Sequence, residues 1–421
     1  MPLSSTPLTL DLAELARERH DHLEAVRGYT HALQDLAPDD QHRRLLALRG
    51  RASSHYRVGR PEESLADFSA ARILAKAVGD AEAEIGILLE RATAHDWSND
   101  WPASRAAVEE AEALAKSAGV STRILRASLL VGNGRSLFRQ GKWAESCAAL
   151  EQAVAEAEQL GSAGYEPLIV SLLLLMAVLP HLGRVDDGAK VAERAVALTR
   201  AKGDRLNLAS ALNNRRNLLV ARGQLAEAIA DQEQFRELGK QLGLVYSEYV
   251  AEFNMAELLY QAGDIAGAAP HAQLASSWET DHPEIATRPA AALLQARLLA
   301  FQGLFSDARA LLTKIEAAIE RARQQGRENG LFAPSDEVLA AMVDLATREA
   351  SEAEWNTLLE RSGRESVEQE PIEVVEMRAL WALRNGRNEE ARRCFESALT
   401  LAQRIPNLMS QRLQRGRDAA N

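Results

Sequence analysis

The chemistry-bearing side chains of this sequence are arginines, asparagines and aromatic rings gathered ahead of recurring glycines. The stretch ALNNRRNLLVARGQLAEA (211–228) concentrates them, with Asn213, Asn214, Arg215, Arg216 and Asn217 preceding a turn at Gly223. An asparagine amide both donates and accepts, so a row of them can bridge the N–H and C=O of an extended peptide whatever its side chains. The planar fork of arginine takes a carboxylate or a phosphate through paired hydrogen bonds. This is chemistry of recognition.

Signatures of catalysis are missing from the sequence. It contains no P-loop, no G-x-G-x-x-G after a strand, no G-x-S-x-G and no H-E-x-x-H. The close glycines of GNGRSLFRQGK (132–142) lie in a helical pattern beside a turn, where they imply tight packing. His20, Asp21 and His22 are too near one another in sequence to converge on a metal without a folded loop, and no third ligand is obvious. They read as a surface turn. No catalytic residue, metal or cofactor is expected, and the chain reads as a non-enzyme.

The elements that must position these residues are helical. The 421 residues are 46% hydrophobic and only 5% aromatic, with few runs of Val, Ile and Thr, so helix formers dominate and an all-α chain is expected. A net charge of −11 argues against nucleic acid or an anionic membrane surface as the main partner. Cys147 and Cys394 lie far apart in no metal-ligand spacing and read as small core residues of a reducing, cytoplasmic compartment. The apolar run LIVSLLLLMAVL (168–179) is too short to span a bilayer and reads as a buried helix. No secretion signal is visible in MPLSSTPLTL.

Gly59, Gly141, Gly183, Gly223, Gly263, Gly303 and Gly386 recur at steps of 40–42 residues or twice that. Asn99 fills one missing turn, a degenerate one falls at 346–351, and a further turn lies near His20. About ten helical hairpins result. Five, nine and twelve residues after the turns stand Ser64, Phe68 and Ala71, then Ser104, Val108 and Ala111, then Ser146, Leu150 and Ala153, then Ala391, Phe395 and Ala398. The small residue lets the second helix approach the first, and the larger one fills the hairpin. Pro61 and Pro102 stand where a starting helix tolerates a missing N–H.

With GKWAESCAALEQA (141–153) and GRNEEARRCFESA (386–398), the chain resembles the tetratricopeptide repeat family, in the 40–42-residue variety of kinesin light chains. The resemblance covers about residues 8–405 and implies one right-handed superhelical solenoid of about ten antiparallel helix hairpins. Residues 1–7 form a tail and 406–421 a capping helix or frayed end. The longer connection DHPEIATRP (281–289) joins two hairpins. LLERATAHDWSNDWPAS (88–104) also resembles the helical-repeat arms that follow kinase or nucleotide-binding modules in bacterial signalling proteins.

The family resemblance implies a concave groove lined by the first helices, receiving a peptide or helix. Counting back from the turns nominates Arg49, Tyr56, Arg57, Trp97, Arg135, Phe138, Arg139, Asn213, Asn214, Asn217, Phe253, Asn254, Glu257, Tyr260 and Arg297. Arg49, Arg57, Arg135 and Arg139 would fork onto an anion, the asparagines would grip backbone, and the rings would seat anchor side chains. Arg215 shares its slot, eight before the turn, with Arg51, Arg91 and Arg378, and should reach an acid on a neighbouring helix. Arg216 stands where other hairpins carry a small or unbranched residue, and is expected to reach Glu227, Asp231 or Gln232. The function expected is a non-catalytic protein- or peptide-binding scaffold in bacterial signalling, without nucleic-acid or membrane partners. The alternatives are a sensor arm gating a separate enzyme and a structural oligomerisation module.

Overall fold

Gly59, Gly141, Gly183, Gly223, Gly263, Gly303 and Gly386 all adopt the left-handed conformation that ends a helix, with φ between 69° and 83°. The amide beyond each closes back onto the last helical turn: Arg60 N–H donates to His55 O at 2.9 Å, Lys142 to Leu137 O at 3.0 Å and Arg387 to Ala382 O at 2.9 Å. His20 makes the same turn without glycine, at φ 59°, and Asp21 N–H donates to Ala16 O at 2.9 Å. Asn99 lies outside the described residues, and Asp100 N–H donates to His95 O at 2.9 Å. The degenerate turn is a capping box: Ser351 N–H donates to the Glu354 carboxylate at 2.7 Å and Glu354 N–H to Ser351 Oγ at 3.3 Å. A second set, Gly79, Gly119, Gly203 and Gly243, is left-handed at the step from one hairpin to the next.

The computed structural model describes residues 6–98, 100–282, 289–324, 334–362, 369–403 and 410–420, and among these it has 21 α-helices and no strand. Five hairpins come first: α1 (Thr6–Glu18) and α2 (His22–Asp35), α3 (Gln41–Arg57) and α4 (Pro61–Val78), α5 (Ala81–Trp97) and α6 (Trp101–Ala118), α7 (Arg123–Arg139) and α8 (Trp143–Glu158), α9 (Tyr165–Val178) and α10 (Val185–Lys202). Next come α11 (Arg205–Ala221) and α12 (Leu225–Leu242), α13 (Val245–Gln261) and α14 (Ile265–Asp281), α15 (Ala290–Phe301) and α16 (Phe305–Gln324). The last are α17 (Pro334–Thr347) and α18 (Glu352–Ser362), α19 (Gln369–Arg384) and α20 (Asn388–Ala402), with α21 (Ser410–Ala419) following. The expected connection at 281–289 falls mostly on residues 283–288, outside the described set. The all-α, tetratricopeptide-like hairpin architecture is the fold of the chain.

The recurring small residue does more than make room. Ser64, Ser104 and Ser146 donate Oγ to the carbonyls of Ala52, Ala92 and Gly134 on the preceding helix, at 2.8, 2.8 and 2.7 Å. Phe68, Val108 and Leu150, four residues further on, are buried, as is Phe395 after Ala391. Gly134 shows how close the helices come: a Cβ there would stand 2.7 Å from Leu150 Cδ2. Tight packing is therefore the role of that glycine pair, since Gly132 likewise abuts Val108.

Contacts concentrate in two compact units. Unit 1 is Met1–Leu218 with Glu237–Leu244, and unit 2 is Leu219–Arg236 with Val245–Asn421. The division runs through α11 and α12, the stretch where Ala228 has no hydroxyl to donate and Gln232 replaces the large apolar residue. Gly161–Leu182 is long and apolar enough to cross a membrane by length and composition, but 56% of its most apolar window is buried within the chain.

Replacing Ser146 by Ala removes a fully buried hydrogen bond without adding volume. Urea denaturation should show a loss of about 1 kcal/mol, with the slope against urea unchanged.

Candidate functional site

In unit 1 the nominated residues come from the first helices of successive hairpins, and their guanidinium groups are engaged on the first helices of other hairpins. Arg49 on α3 places Nε and Nη2 on Glu90 Oε1 of α5, at 2.9 and 2.6 Å. Arg57 donates to Ser53 O at 2.8 Å and to Glu166 Oε2 of α9 at 3.2 Å, with its Cζ 4.6 Å over the buried Tyr56 ring. Asn214 donates Nδ2 to Leu173 O, 41 residues back, at 3.3 Å. Asn217 is exposed and accepts from Arg216 Nη2 at 3.0 Å, and Asn213 is half-buried. Phe138 packs edge-on against Trp143, which stacks on His181 at 4.1 Å. The Trp97 side chain lies outside the described residues.

Arg135 and Arg139 differ from this pattern because they share one acid. Arg139 forks onto both oxygens of Asp96, at 3.2 and 3.1 Å. Arg135, only 6% exposed, donates Nη1 to Thr93 Oγ1 at 2.9 Å and keeps its Nε 3.9 Å from Asp96 Oδ2. Burial pulls the Arg135 pKa down, and Asp96 opposes the shift. These residues line a pocket of about 190 Å³ with Trp101, Pro102, Ser104, Arg105, Ser136 and Gln140. Trp101 is 45% exposed and lies 4.8 Å under the Arg139 guanidinium. Arg105 reaches Glu109 at 3.5 Å on the open surface. The lining thus carries three guanidinium groups and one carboxylate. Sequence reasoning named Arg135 and Arg139 but missed Trp101 and Arg105; the available signal was an aromatic residue opening a second helix directly after a turn.

Of the four arginines in the shared slot, Arg51, Arg215 and Arg378 pair with acids on neighbouring helices, whereas the Nε of Arg91 is buried without a hydrogen-bond partner. Arg51 forks onto Asp67 at 2.7 Å on both arms, Arg215 reaches Glu193 at 2.9 Å and Arg378 reaches Glu390 at 2.9 Å. The partners expected for Arg216, namely Glu227, Asp231 and Gln232, belong to unit 2. There Gln232 is fully buried and its Oε1 accepts from Asn254 Nδ2 at 2.9 Å.

In unit 2 the nominated residues are largely enclosed. Asn254, Tyr260 and Arg297 are buried, and Phe253 and Glu257 half-buried. Arg297 donates to Glu373 Oε2 at 3.2 Å, and its Cζ lies 4.7 Å from the Tyr260 ring centre. Arg412, from α21, lies 4.5 Å from the same ring.

The turn of the first hairpin corrects the sequence reading, because it is no surface turn. His22 is 6% exposed, and neither ring nitrogen has a hydrogen-bond partner. His20 Nδ1 lies 3.6 Å from Asp204 Oδ2, which also accepts from the Tyr165 hydroxyl at 2.7 Å. Among the described residues no three His, Cys, Asp or Glu side chains are grouped to hold a metal.

No family model matches this chain, and no curated protein matches its sequence. Solved structures do match its fold. One is a signal transduction ATPase with numerous domains, carrying a tetratricopeptide repeat sensor, from Pyrococcus horikoshii. Its identity is 12% and TM-score 0.53, over 90% of this chain and 55% of that one, so this chain spans about half that protein's length. A Rap protein complexed with competence and sporulation factor aligns at 12% identity and TM-score 0.53, over 99% and 100% of the two chains. Human IFIT1 with m7Gppp-AAAA aligns at 16% identity and TM-score 0.46, over 96% and 91%. The first two likenesses establish a helical-repeat fold of the tetratricopeptide kind.

Burial, reinforced by Arg57, His20 and Arg17, pushes the His22 pKa from 6.5 down to about 2. The unfolded chain therefore takes up a proton below pH 6.5 that the folded chain refuses, so stability falls as the pH drops. His22 should account for a loss of about 1 kcal/mol per pH unit below 6.5. In urea melts at pH 7 and pH 5, His22→Leu should show a shallower loss than the parent, since leucine takes up no proton in the unfolded chain.

Proposed function

We propose that the chain is a non-catalytic binding scaffold, and that the inner side of unit 1 anchors an acidic group of a protein or peptide ligand in the Trp101–Arg135–Arg139 pocket. The observation that supports this most directly is the shared Asp96. The buried Arg135 guanidinium calls for a paired anion, and the one carboxylate beside it, Asp96, is already forked by the exposed Arg139. An incoming carboxylate or phosphate supplies the second. At about 190 Å³ the pocket suits one side chain or one phosphate group, being smaller than the several hundred Å³, roughly 300–1,000, of small-molecule sites. Trp101 offers a flat apolar wall to the residue beside it.

The setting we propose is bacterial signalling or regulation inside the cell. Two fold neighbours support it: the ATPase described with a repeat sensor, and the Rap protein complexed with competence and sporulation factor. The free thiols of Cys147 and Cys394, both raised by burial, accord with a reducing compartment. A sensor arm acting on a separate enzyme is the second reading, favoured by the share of the ATPase that this chain matches. The fold is common to proteins with protein and with RNA ligands, so the test includes both.

Fluorescence anisotropy with a labelled glutamate-rich dodecapeptide, its glutamine counterpart and a labelled RNA dodecamer should rank the acidic peptide first. Arg139→Leu and Trp101→Ala should each weaken it by about tenfold, the loss of one charge-assisted fork or one aromatic contact. Equal binding of acidic and neutral peptides, tighter binding of the RNA, or indifference to both substitutions would overturn the reading.

A further inference from the structure

Unit 2 holds a complete receptor for one guanidinium group, filled by Arg412. Its Nε and Nη2 fork onto the two oxygens of Glu376 on α19, at 2.7 and 2.6 Å. Its Nη1 donates to the Tyr260 carbonyl of α13, 152 residues away, at 2.8 Å. Its Cζ lies 4.5 Å from the Tyr260 ring centre and 5.1 Å from that of Phe301 on α15. Carboxylate, carbonyl and aromatic faces together read every property that separates arginine from lysine.

The segment that delivers Arg412 is held by this site more than it holds itself. The α21 helix has 10 residues, below the roughly 12–15 at which isolated helices become marginal in water. Gly416 lies within it, where a Cβ would stand 2.4 Å from Phe395. A glycine in a helix interior weakens the helix relative to alanine. Of its described side chains Leu413 is the one fully enclosed. Without Arg412 the receptor would present the Glu376 carboxylate, with Glu373 near it, beside the Tyr260 and Phe301 rings. A vacated site is therefore acidic, aromatic and shaped for a fork.

We propose that unit 2 is an arginine-recognition surface, filled in cis by α21 and filled by an arginine-bearing helical segment of a partner protein when α21 is displaced. It selects a ligand of the opposite charge from the unit 1 pocket and stands whether or not that pocket binds acids.

The test uses the full-length chain and a labelled peptide of the sequence SQRLQRGRDAA (residues 410–420), followed by anisotropy. The wild-type helix competes as a tethered ligand at about millimolar effective concentration, so Arg412→Ala should bind the peptide at least about tenfold tighter than wild type. Leu413→Ala, which loosens α21 and keeps its arginine, should shift binding in the same direction by less. Replacing only the first arginine of the peptide by lysine or alanine should abolish the gain, although its other arginines remain. Glu376→Gln combined with Arg412→Ala should abolish it too. Equal binding of all peptides, no gain in either variant, or loss of the helical circular dichroism signal in both would make Arg412 a structural clamp and overturn the proposal. A wild-type dimer dissolved by Arg412→Ala would assign the occupant to a second copy and overturn the partner.

Discussion

Where the serine clasp occurs, the close approach of two helices is fastened by a hydroxyl given to a backbone carbonyl twelve residues earlier. Ser64, Ser104 and Ser146 make that bond in three successive hairpins. It requires a small side chain on the second helix and a small or absent one on the first, which Ala52, Ala92 and Gly134 supply. The spacing then follows: a left-handed glycine resets the chain direction, and the large residue four positions after the serine closes the gap. With the hairpin interior filled this way, the first helices keep their other face for longer polar side chains.

What those polar side chains do differs between the units. In unit 1 guanidinium groups bond from hairpin to hairpin, and at Asp96 two of them share one carboxylate. In unit 2 the same class of position is sealed: Arg297 and Arg412 contact one tyrosine ring, against Glu373 and Glu376. Burial raises the Glu376 carboxyl pKa, and Arg412 opposes it. Charges so far from water are tolerable only as pairs.

The hairpin turns were legible in the sequence because glycine and helix-end chemistry are local. The turn at His20 was legible too, yet its burial was not, since Asp204 and Tyr165 arrive from far along the chain. The recurring slot of Arg51, Arg215 and Arg378 could be read as a pairing position because its acids sit on adjacent helices. The groove residues could be placed on the right helices but not sorted into engaged and available ones. Arg49 and Arg139 look alike in sequence; only the number of acids within reach separates them. Arg412 was hidden for the same reason, being 152 residues from the carbonyl it contacts.

The bonding from hairpin to hairpin also fixes how many repeats this chain can have. Solenoids are often treated as arrays whose units interact only with their neighbours and can be added or removed. Here the bonds cross the joints by a fixed stride: Arg49 to Glu90 over 41 residues, Arg135 to Thr93 over 42 and Arg139 to Asp96 over 43. Excising α5 and α6 would take Glu90, Thr93 and Asp96 together and strand three guanidinium groups at one new junction. Duplicating the pair would instead bring a surplus of acids to a single joint. Gain or loss of a repeat in this region is thus an all-or-nothing event, open to a lineage only if arginines and acids change in the same step.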